Sequence, residues 1–208
     1  VDPIRDVEVI NLELIMSDLD VINKRYSKIL PKYKSGEKTL EKEINLLKKV
    51  KQALENNQRA KSLQLDEEED LIIRNFNLLT YKPTLYIANV DTNNVNKPEN
   101  NKHFVKLQEY LSKNSTDKVV AISVSIENEI SLLSDDDKKA FLKDLGVSQS
   151  GLDKVIKATY ELLGLRTFFT FGKKETKAWT FKEGMTAPQC AGIIHSDFEK
   201  GFIRAEIY

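Results

Sequence analysis

Two short polar motifs in the sequence contain groups that could bind a nucleotide base, and each follows a run of apolar residues. Asn-Val-Asp-Thr at 89–92 follows TLYIA, and Ser-Val-Ser-Ile-Glu at 123–127 follows KVVAI. The side-chain amide of Asn89 can match adenine, which offers an N7 acceptor and an N6 amine donor on one edge. Backbone N–H groups that follow a strand and begin a helix are well placed to bind a base or an anion.

Each motif also has an ordinary structural interpretation. An asparagine at the position of Asn89 can simply cap the end of a strand. The second motif can be a strand-to-helix turn in which Ser125 caps the helix. From the residue pattern alone, both interpretations stay open for both motifs.

These motifs require strands and helices that alternate along the chain. TLYIANV and KVVAISV are short, apolar and rich in β-branched residues, which predicts two buried strands. Helices are predicted around 104–111, 126–133, 135–144 and 152–163, with Gly146 and Gly164 as terminators. This alternation predicts an α/β fold with a doubly wound parallel sheet. Two strands are too few for a complete domain of this kind, so we expect the sheet to be incomplete in this chain.

Residues 1–61 are predicted to form an antiparallel helical hairpin with a coiled-coil seam. Apolar residues recur at alternating spacings of three and four, at Leu12, Ile15, Leu19, Ile22, Tyr26, Ile29 and Tyr33. A second series follows a turn at 34–37 and comprises Leu40, Ile44, Leu47, Val50 and Leu54. Arms of roughly 25 residues would project about 35–40 Å. Because the seam has a partner in the same chain, we expect a monomer.

The hairpin is strongly basic, although the whole chain has a formal net charge of zero. Between Lys24 and Lys51 there are ten Lys/Arg residues against three acidic residues. A lysine-rich tip of this kind can bind RNA phosphates. Such an excess is also typical of a solvated helix face, so both interpretations remain.

Residues 165–208 are predicted to form a truncated ββαβ unit. Two strand-like runs, LRTFFTFG and KETKAWTF, are predicted with a turn at Gly172 and Lys173. Thr186 and Gln189 have the spacing of a capping box, which predicts a helix that reaches about His195. GFIRAEI at 201–207 is predicted to be a third strand.

Composition excludes several classes of protein. No stretch approaches the roughly 20 apolar residues that cross a bilayer, and the charged start has no signal-peptide core. A single cysteine cannot form an internal disulfide, and one cysteine with two histidines gives no basis for a zinc or other metal site. We therefore expect a cytoplasmic protein with no membrane partner.

The longest distinctive run, WTFKEGMTAPQCAGIIHSDFEKGFIRAEI, resembles the TGS domain of the YchF-type Obg-like ATPases. VDPIRDVEVINLEL is similar to the start of that family's helical hairpin, and TYKPTLYIANV resembles the strand that delivers its base-recognition loop. The resemblance covers essentially the whole chain in the same order.

The resemblance implies a fold, an activity and partners. It implies a P-loop nucleotide-binding domain that carries a coiled-coil hairpin and is followed by an α+β, ubiquitin-like TGS domain. In this chain the hairpin would occupy 1–61, the C-terminal part of the nucleotide-binding domain 62–164, and a partial TGS domain 165–208. The activity implied is binding and hydrolysis of ATP, with GTP as the weaker expectation, and the association implied is with ribosomes in translation.

The phosphate-binding residues of that family have no counterpart in this chain. No GxxxxGK[ST] pattern occurs in the sequence, so the P-loop and switch regions are expected to precede Val1. Mg²⁺ is therefore implied for the intact protein only. We expect no catalytic residue in this chain and no activity from it alone. The alternative function is a non-enzymatic RNA- or protein-binding module built from the helical arm and the TGS domain.

The resemblance assigns base-binding roles to five residues: Asn89, Val90, Ser123, Val124 and Ser125. The first two match the beginning of the family's NxxE motif, and the other three begin a run, 123–127, that is similar to its S-x-A-x-E motif. Thr92 stands where that family has glutamate, and Asp91 lies one position earlier. The preference for ATP over GTP is therefore left open.

Overall fold

The computed structural model describes residues 1–115, 117–172 and 175–207. These residues form two compact units, the first comprising 1–84 with 102–115 and the second comprising 85–101 with the described residues after 116. Each unit has its own cluster of buried apolar side chains. The chain is therefore a mixed α/β protein, as predicted, with a helical first unit.

The first unit is built from four helices: α1 (Pro3–Lys34), α2 (Glu41–Glu55), α3 (Glu67–Arg74) and α4 (Lys102–Asn114). Asp2 caps α1, because its carboxylate accepts from the backbone N–H of Ile4 and Arg5. Gly36 lies in the connection to α2 with a φ of +109°, a conformation that favours glycine. The two helices are 32 and 15 residues long, so the prediction of roughly 25 residues for each arm is wrong.

The predicted seam of α1 lies in the core of the first unit. Ile15, Ile22 and Ile29 are buried, whereas Leu12 is exposed. The second helix buries more than the predicted series, since Leu46 is also fully buried. The reason is that α2 packs against α3 as well as against α1, so it has two covered faces. A heptad pattern reports only the face that meets the hairpin partner.

The second unit contains the predicted parallel strands and the helices that follow them. β1 (Leu85–Asn89) pairs with β2 (Lys118–Ile122) in parallel. The helices are α5 (Val124–Ser131), α6 (Asp135–Asp144) and α7 (Gly151–Leu162), and α7 packs on both strands. Gly146 and Gly164 follow α6 and α7 with φ values of +71° and +61°. Both glycines therefore end helices as predicted.

The same unit continues into an antiparallel pair and two short helices. These elements are β3 (Leu165–Phe171), β4 (Thr176–Lys182), α8 (Ala187–Ile194) and α9 (Ser196–Lys200). The predicted capping box at the start of α8 is confirmed. Lys173, predicted to lie in the turn between the strands, is outside the described residues.

The predicted third strand at 201–207 is wrong, and the short helix α9 was not predicted. A strand forms only when its backbone groups pair with a neighbouring strand. Among the described residues, β3 and β4 pair only with each other. Ile203 and Ile207 are each 91% exposed, so the alternating apolar pattern of this segment meets no packing partner here.

Candidate nucleotide-base site

The parallel register brings the two polar motifs to the same edge of the sheet. Asn89 is the last residue of β1 and lies opposite Ile122, the last residue of β2. The pairing extends one residue further, because the backbone N–H of Val90 donates to the carbonyl of Ile122 at 2.8 Å. The carboxyl edge of parallel strands is where ligands commonly bind in α/β proteins.

A direct hydrogen bond joins the two motifs. The Oδ1 atom of Asn89 accepts from the backbone N–H of Val124 at 3.1 Å. The Nδ2 group of the same side chain has no hydrogen-bond partner within the part of the chain described, and Asn89 is exposed. The hydrogen bond that Oδ1 accepts thus fixes the orientation of the exposed Nδ2 donor of the same side chain.

The start of α5 lacks the side-chain cap that other helices in the unit have. Ser123 occupies the N-cap position and is 2% exposed, but its side chain makes no capping hydrogen bond. By contrast, Ser134 and Ser150 cap α6 and α7 through their hydroxyl groups. Ser125 lies inside α5, so the alternative in which Ser125 is the cap is wrong.

Two backbone donors are consequently left at the beginning of α5. The first hydrogen bond of the helix joins the N–H of Glu127 to the carbonyl of Ser123 at 3.0 Å. Neither Ser125 nor Ile126 has an acceptor for its N–H in the residues that the structure describes. The N–H groups at a helix start commonly bind an external acceptor when no side chain does so.

The loop after β1 is anchored by Val95 in the core of the second unit. Val95 is buried and packs with Ile126, Ile130 and Leu142 in the core of the second unit. Asp91 and Thr92 precede this anchor and are both exposed. Both side chains are therefore accessible at this edge of the sheet.

The second motif is joined to the start of α7 by a contact that the sequence pattern did not predict. The carboxylate of Glu127 accepts from the N–H groups of Gly151 and Leu152 at 2.6 and 2.9 Å. Lys118 and Glu161 form an ion pair between β2 and α7 at 3.1 Å, and that lysine lowers the pKa of the Glu161 carboxyl. The only sequence signal for the first contact is a glycine at the start of a predicted helix.

The basic residues between Lys24 and Lys51 divide into two groups. Four are paired with acidic side chains: Arg25 with Glu43, Lys42 with Glu68, Lys49 with Glu69, and Lys51 with Glu55. The other six have no acidic partner among the residues described, and these are Lys24, Lys28, Lys32, Lys34, Lys38 and Lys48. Most of the uncompensated charge therefore lies on the second half of α1 and the turn that follows it.

Two other features are absent from the described residues. The described residues contain no group of three or more His, Cys, Asp or Glu side chains that could hold a metal ion. Among the described helices, none combines the length and the apolar composition that a membrane span needs.

Comparison with known proteins gives matches over the whole chain. Residues 165–208 match the family model YchF-GTPase_C, described as a protein of unknown function (DUF933). The chain is 47% identical over 206 residues to the ribosome-binding ATPase YchF of Bacillus subtilis strain 168, covering 99% of this chain and 56% of that protein. It is 43% identical over 206 residues to the protein of the same name from Escherichia coli O157:H7, again covering 99% and 56%.

A solved structure agrees with these relatives. The Schizosaccharomyces pombe YchF GTPase matches with a TM-score of 0.84 and 31% identity, over 98% of this chain and 55% of that chain. The chain thus spans about half the length of the proteins it matches. Sequence identity and three-dimensional similarity together show that this chain is a homologue of the YchF proteins.

Proposed function

We propose that this chain is the base-binding and accessory portion of a protein that binds and hydrolyses ATP. The observation that carries the proposal is the hydrogen bond between Asn89 and Val124, which fixes an exposed amide beside uncapped backbone donors. The site residues are those expected from the sequence: Asn89, Val90, Ser123, Val124 and Ser125.

The chemistry of this edge supports recognition of a purine. The free Nδ2 group of Asn89 can donate to N7, which adenine and guanine share, whereas pyrimidines lack it. Asn89 alone therefore selects the purine class and does not separate ATP from GTP. The names of the bacterial relatives specify an ATPase and that of the fission-yeast structure specifies a GTPase. We propose ATP as the substrate, with GTP as the weaker candidate.

The phosphates and Mg²⁺ would be bound by residues outside this chain. No GxxxxGK[ST] pattern occurs in the sequence, so the Lys and Ser/Thr ligands of a P-loop are not supplied here. In the proposed organisation, 1–61 is the hairpin, 62–164 is part of a doubly wound nucleotide-binding domain, and 165–208 is part of a ubiquitin-like TGS domain. We propose a cytoplasmic monomer in which these parts act together.

A second function, binding to ribosomal RNA, is favoured by the distribution of charge. Six lysines of the hairpin segment have no acidic partner among the described residues, so their charge is available to phosphates. The bacterial relatives are named as ribosome-binding proteins. A non-enzymatic module made of the hairpin and the TGS-like part would use the same surface.

Calorimetry with two forms of the protein tests the proposal. This chain alone is expected to hydrolyse no ATP and to bind it in the millimolar range or more weakly, because it has no P-loop to bind the phosphates. The full-length protein is expected to bind ATP at least about tenfold more tightly than CTP, since loss of one hydrogen bond to the base corresponds to about that factor. Micromolar binding of ATP by the chain alone, or equal binding of ATP and CTP by the full-length protein, would contradict the proposal.

A further inference from the structure

The side chain of Glu127 joins the first turn of α5 to the first turn of α7. Its two carboxylate oxygens accept separately, Oε1 from the N–H of Gly151 at 2.6 Å and Oε2 from the N–H of Leu152 at 2.9 Å. The N–H of Asp153 is taken by the hydroxyl of Ser150 at 3.1 Å. The start of α7 is thus fully occupied by protein acceptors, and the helix dipole favours the carboxylate there.

Gly151 makes this contact sterically possible. A Cβ atom at that position would lie 2.8 Å from Oε1 of Glu127 and 3.0 Å from the Cβ of Ile122. Atoms at such distances overlap, so any other residue would push the carboxylate away or displace the end of β2. The close approach therefore depends on two residues that are 24 positions apart in the sequence.

The contact lies directly behind the base-binding motif. Glu127 is bonded through its backbone N–H to the carbonyl of Ser123, the residue that begins the motif. Val124 is held from the other side by the Oδ1 atom of Asn89. The turn that carries the uncapped N–H groups of Ser125 and Ile126 is therefore fixed at both of its ends.

We propose that Glu127, together with Gly151, is a positioning residue for nucleotide-base recognition. The carboxylate reaches α7 and touches no ligand, so it acts through the geometry of the turn. It keeps the backbone N–H groups of Ser125 and Ile126 close to the Asn89 amide, so that one purine can contact both. The role rests on the base site proposed above.

The test uses the full-length protein that contains this chain and compares two ligands. ATP carries the base and the phosphates, whereas inorganic tripolyphosphate carries the phosphates alone. In Glu127→Gln one oxygen becomes an amide donor that faces an N–H group, so one of the two hydrogen bonds is lost. We expect ATP to bind about tenfold more weakly, because the shifted turn loses about one hydrogen bond to the base, and tripolyphosphate to bind as in the wild type.

Two further variants separate position from charge. Glu129→Gln removes the same charge from an exposed site on the same helix and is expected to change neither affinity. Gly151→Ala keeps the charge but displaces the carboxylate, so it is expected to reproduce the loss seen with Glu127→Gln. Hydrogen exchange in this chain provides a second readout. The amides of Gly151 and Leu152 are expected to exchange faster than in wild type in Glu127→Gln and at the wild-type rate in Glu129→Gln.

The outcomes distinguish this role from the proposed function. If Glu127→Gln and Gly151→Ala keep wild-type affinity for ATP, the positioning role is refuted while the base site stands. If both ligands weaken equally, the contact serves stability alone and the role is again refuted. A wild-type protein that binds the two ligands with equal affinity would refute the base site itself, and this role with it.

Discussion

Asp18 of α1 binds Thr80 through both the backbone and the side chain of that threonine. Its Oδ2 atom accepts from the N–H of Thr80 at 2.8 Å and from the hydroxyl at 2.7 Å, and Oδ1 accepts from the N–H of Leu79 at 2.8 Å. The threonine hydroxyl in turn accepts from the N–H of Ala60 at 3.1 Å. Asp18 is 1% exposed, and a buried carboxylate is tolerated only with such a set of donors.

Asp18→Asn is expected to lower the free energy of unfolding of the chain by about 3 kcal/mol. The amide group leaves one of the buried donors without an acceptor, and a lost hydrogen bond to a charged group costs about 1.5–3 kcal/mol with a further cost for the unsatisfied N–H. Urea denaturation measures the change. Asp20→Asn, at an exposed position of the same helix, is the matched control, and equal effects of the two variants would contradict a clamp at Asp18.

A second prediction concerns the ionisation of Tyr81. Burial, followed by the hydrogen bond that its hydroxyl donates to Asp70, raises the pKa of Tyr81 to about 12. Because this pKa is above the unfolded value of about 10, the interaction stabilises the fold fully below pH ~10 and is lost as the pH rises toward 12. One of the seven tyrosines should therefore ionise in a late step.

Titration of tyrosinate absorbance measures this step. Tyr81→Phe is expected to abolish the late transition, whereas Tyr160→Phe is expected to retain it. A late transition that persists in Tyr81→Phe would assign it to another residue.

The same contact shifts the pKa of Asp70 in the opposite direction. Hydrogen bonds from Tyr81 and then Arg74 lower the pKa of Asp70 below its ordinary value of 3.8. The carboxylate therefore contributes stability above that value and loses it as the pH falls through the lowered pKa. Urea midpoints measured across this range should converge for wild type and Asp70→Asn at the lowest pH. A difference between them that stays constant on acidification would contradict the prediction.

Asn89→Asp separates the two functions of the asparagine amide. The carboxylate can still accept from the N–H of Val124, but it offers no donor to N7 of a purine. In the full-length protein we expect ATP to bind about tenfold more weakly, the effect of one lost hydrogen bond, while tripolyphosphate binding changes little. Asn128→Asp, at an exposed position of α5, is the control. Equal affinity of Asn89→Asp and wild type for ATP would exclude Asn89 from base recognition.

Lysines of the 24–51 segment with and without an acidic partner are expected to contribute differently to ribosome binding. Lys24 and Lys28 are four residues apart, so they lie on one face of α1, and neither has an acidic partner among the described residues. Replacing both with glutamine should weaken co-sedimentation with ribosomes and reduce the slope of log affinity against log salt by about 2, one unit for each lost phosphate contact. Replacing Lys42 and Lys51, which pair with Glu68 and Glu55, removes the same formal charge and should have a smaller effect. Equal losses would indicate a response to net charge alone.

Local sequence patterns were sufficient for most individual elements. The strand β1 and the helix α6 lie where apolar periodicity and turn residues predict them. The capping box at Thr186 and the role of Gly164 as a helix terminator are also confirmed. These features depend on residues within a few positions of one another, so the sequence contains everything needed to infer them.

The predicted strand at 201–207 shows where local patterns are insufficient. Its alternating apolar residues favour a strand, but pairing with another backbone is required to form one, and that requirement is not local. The buried second face of α2 was missed for a related reason. Leu46 is covered by packing against α3, which no periodicity within α2 can report.

The sequence by itself determined the two polar motifs, the heptad seam, the local excess of lysine and the resemblance to a family. Tertiary structure decided which groups meet: the parallel register places Asn89 beside Val124, and α7 packs so that Gly151 receives the carboxylate of Glu127. It also decided which lysines keep their charge uncompensated, because ion pairs such as Lys42 with Glu68 join residues 26 positions apart. The physical reason is that motifs and helix periods arise from neighbouring residues, whereas hydrogen bonds and ion pairs across elements arise only after the chain has folded.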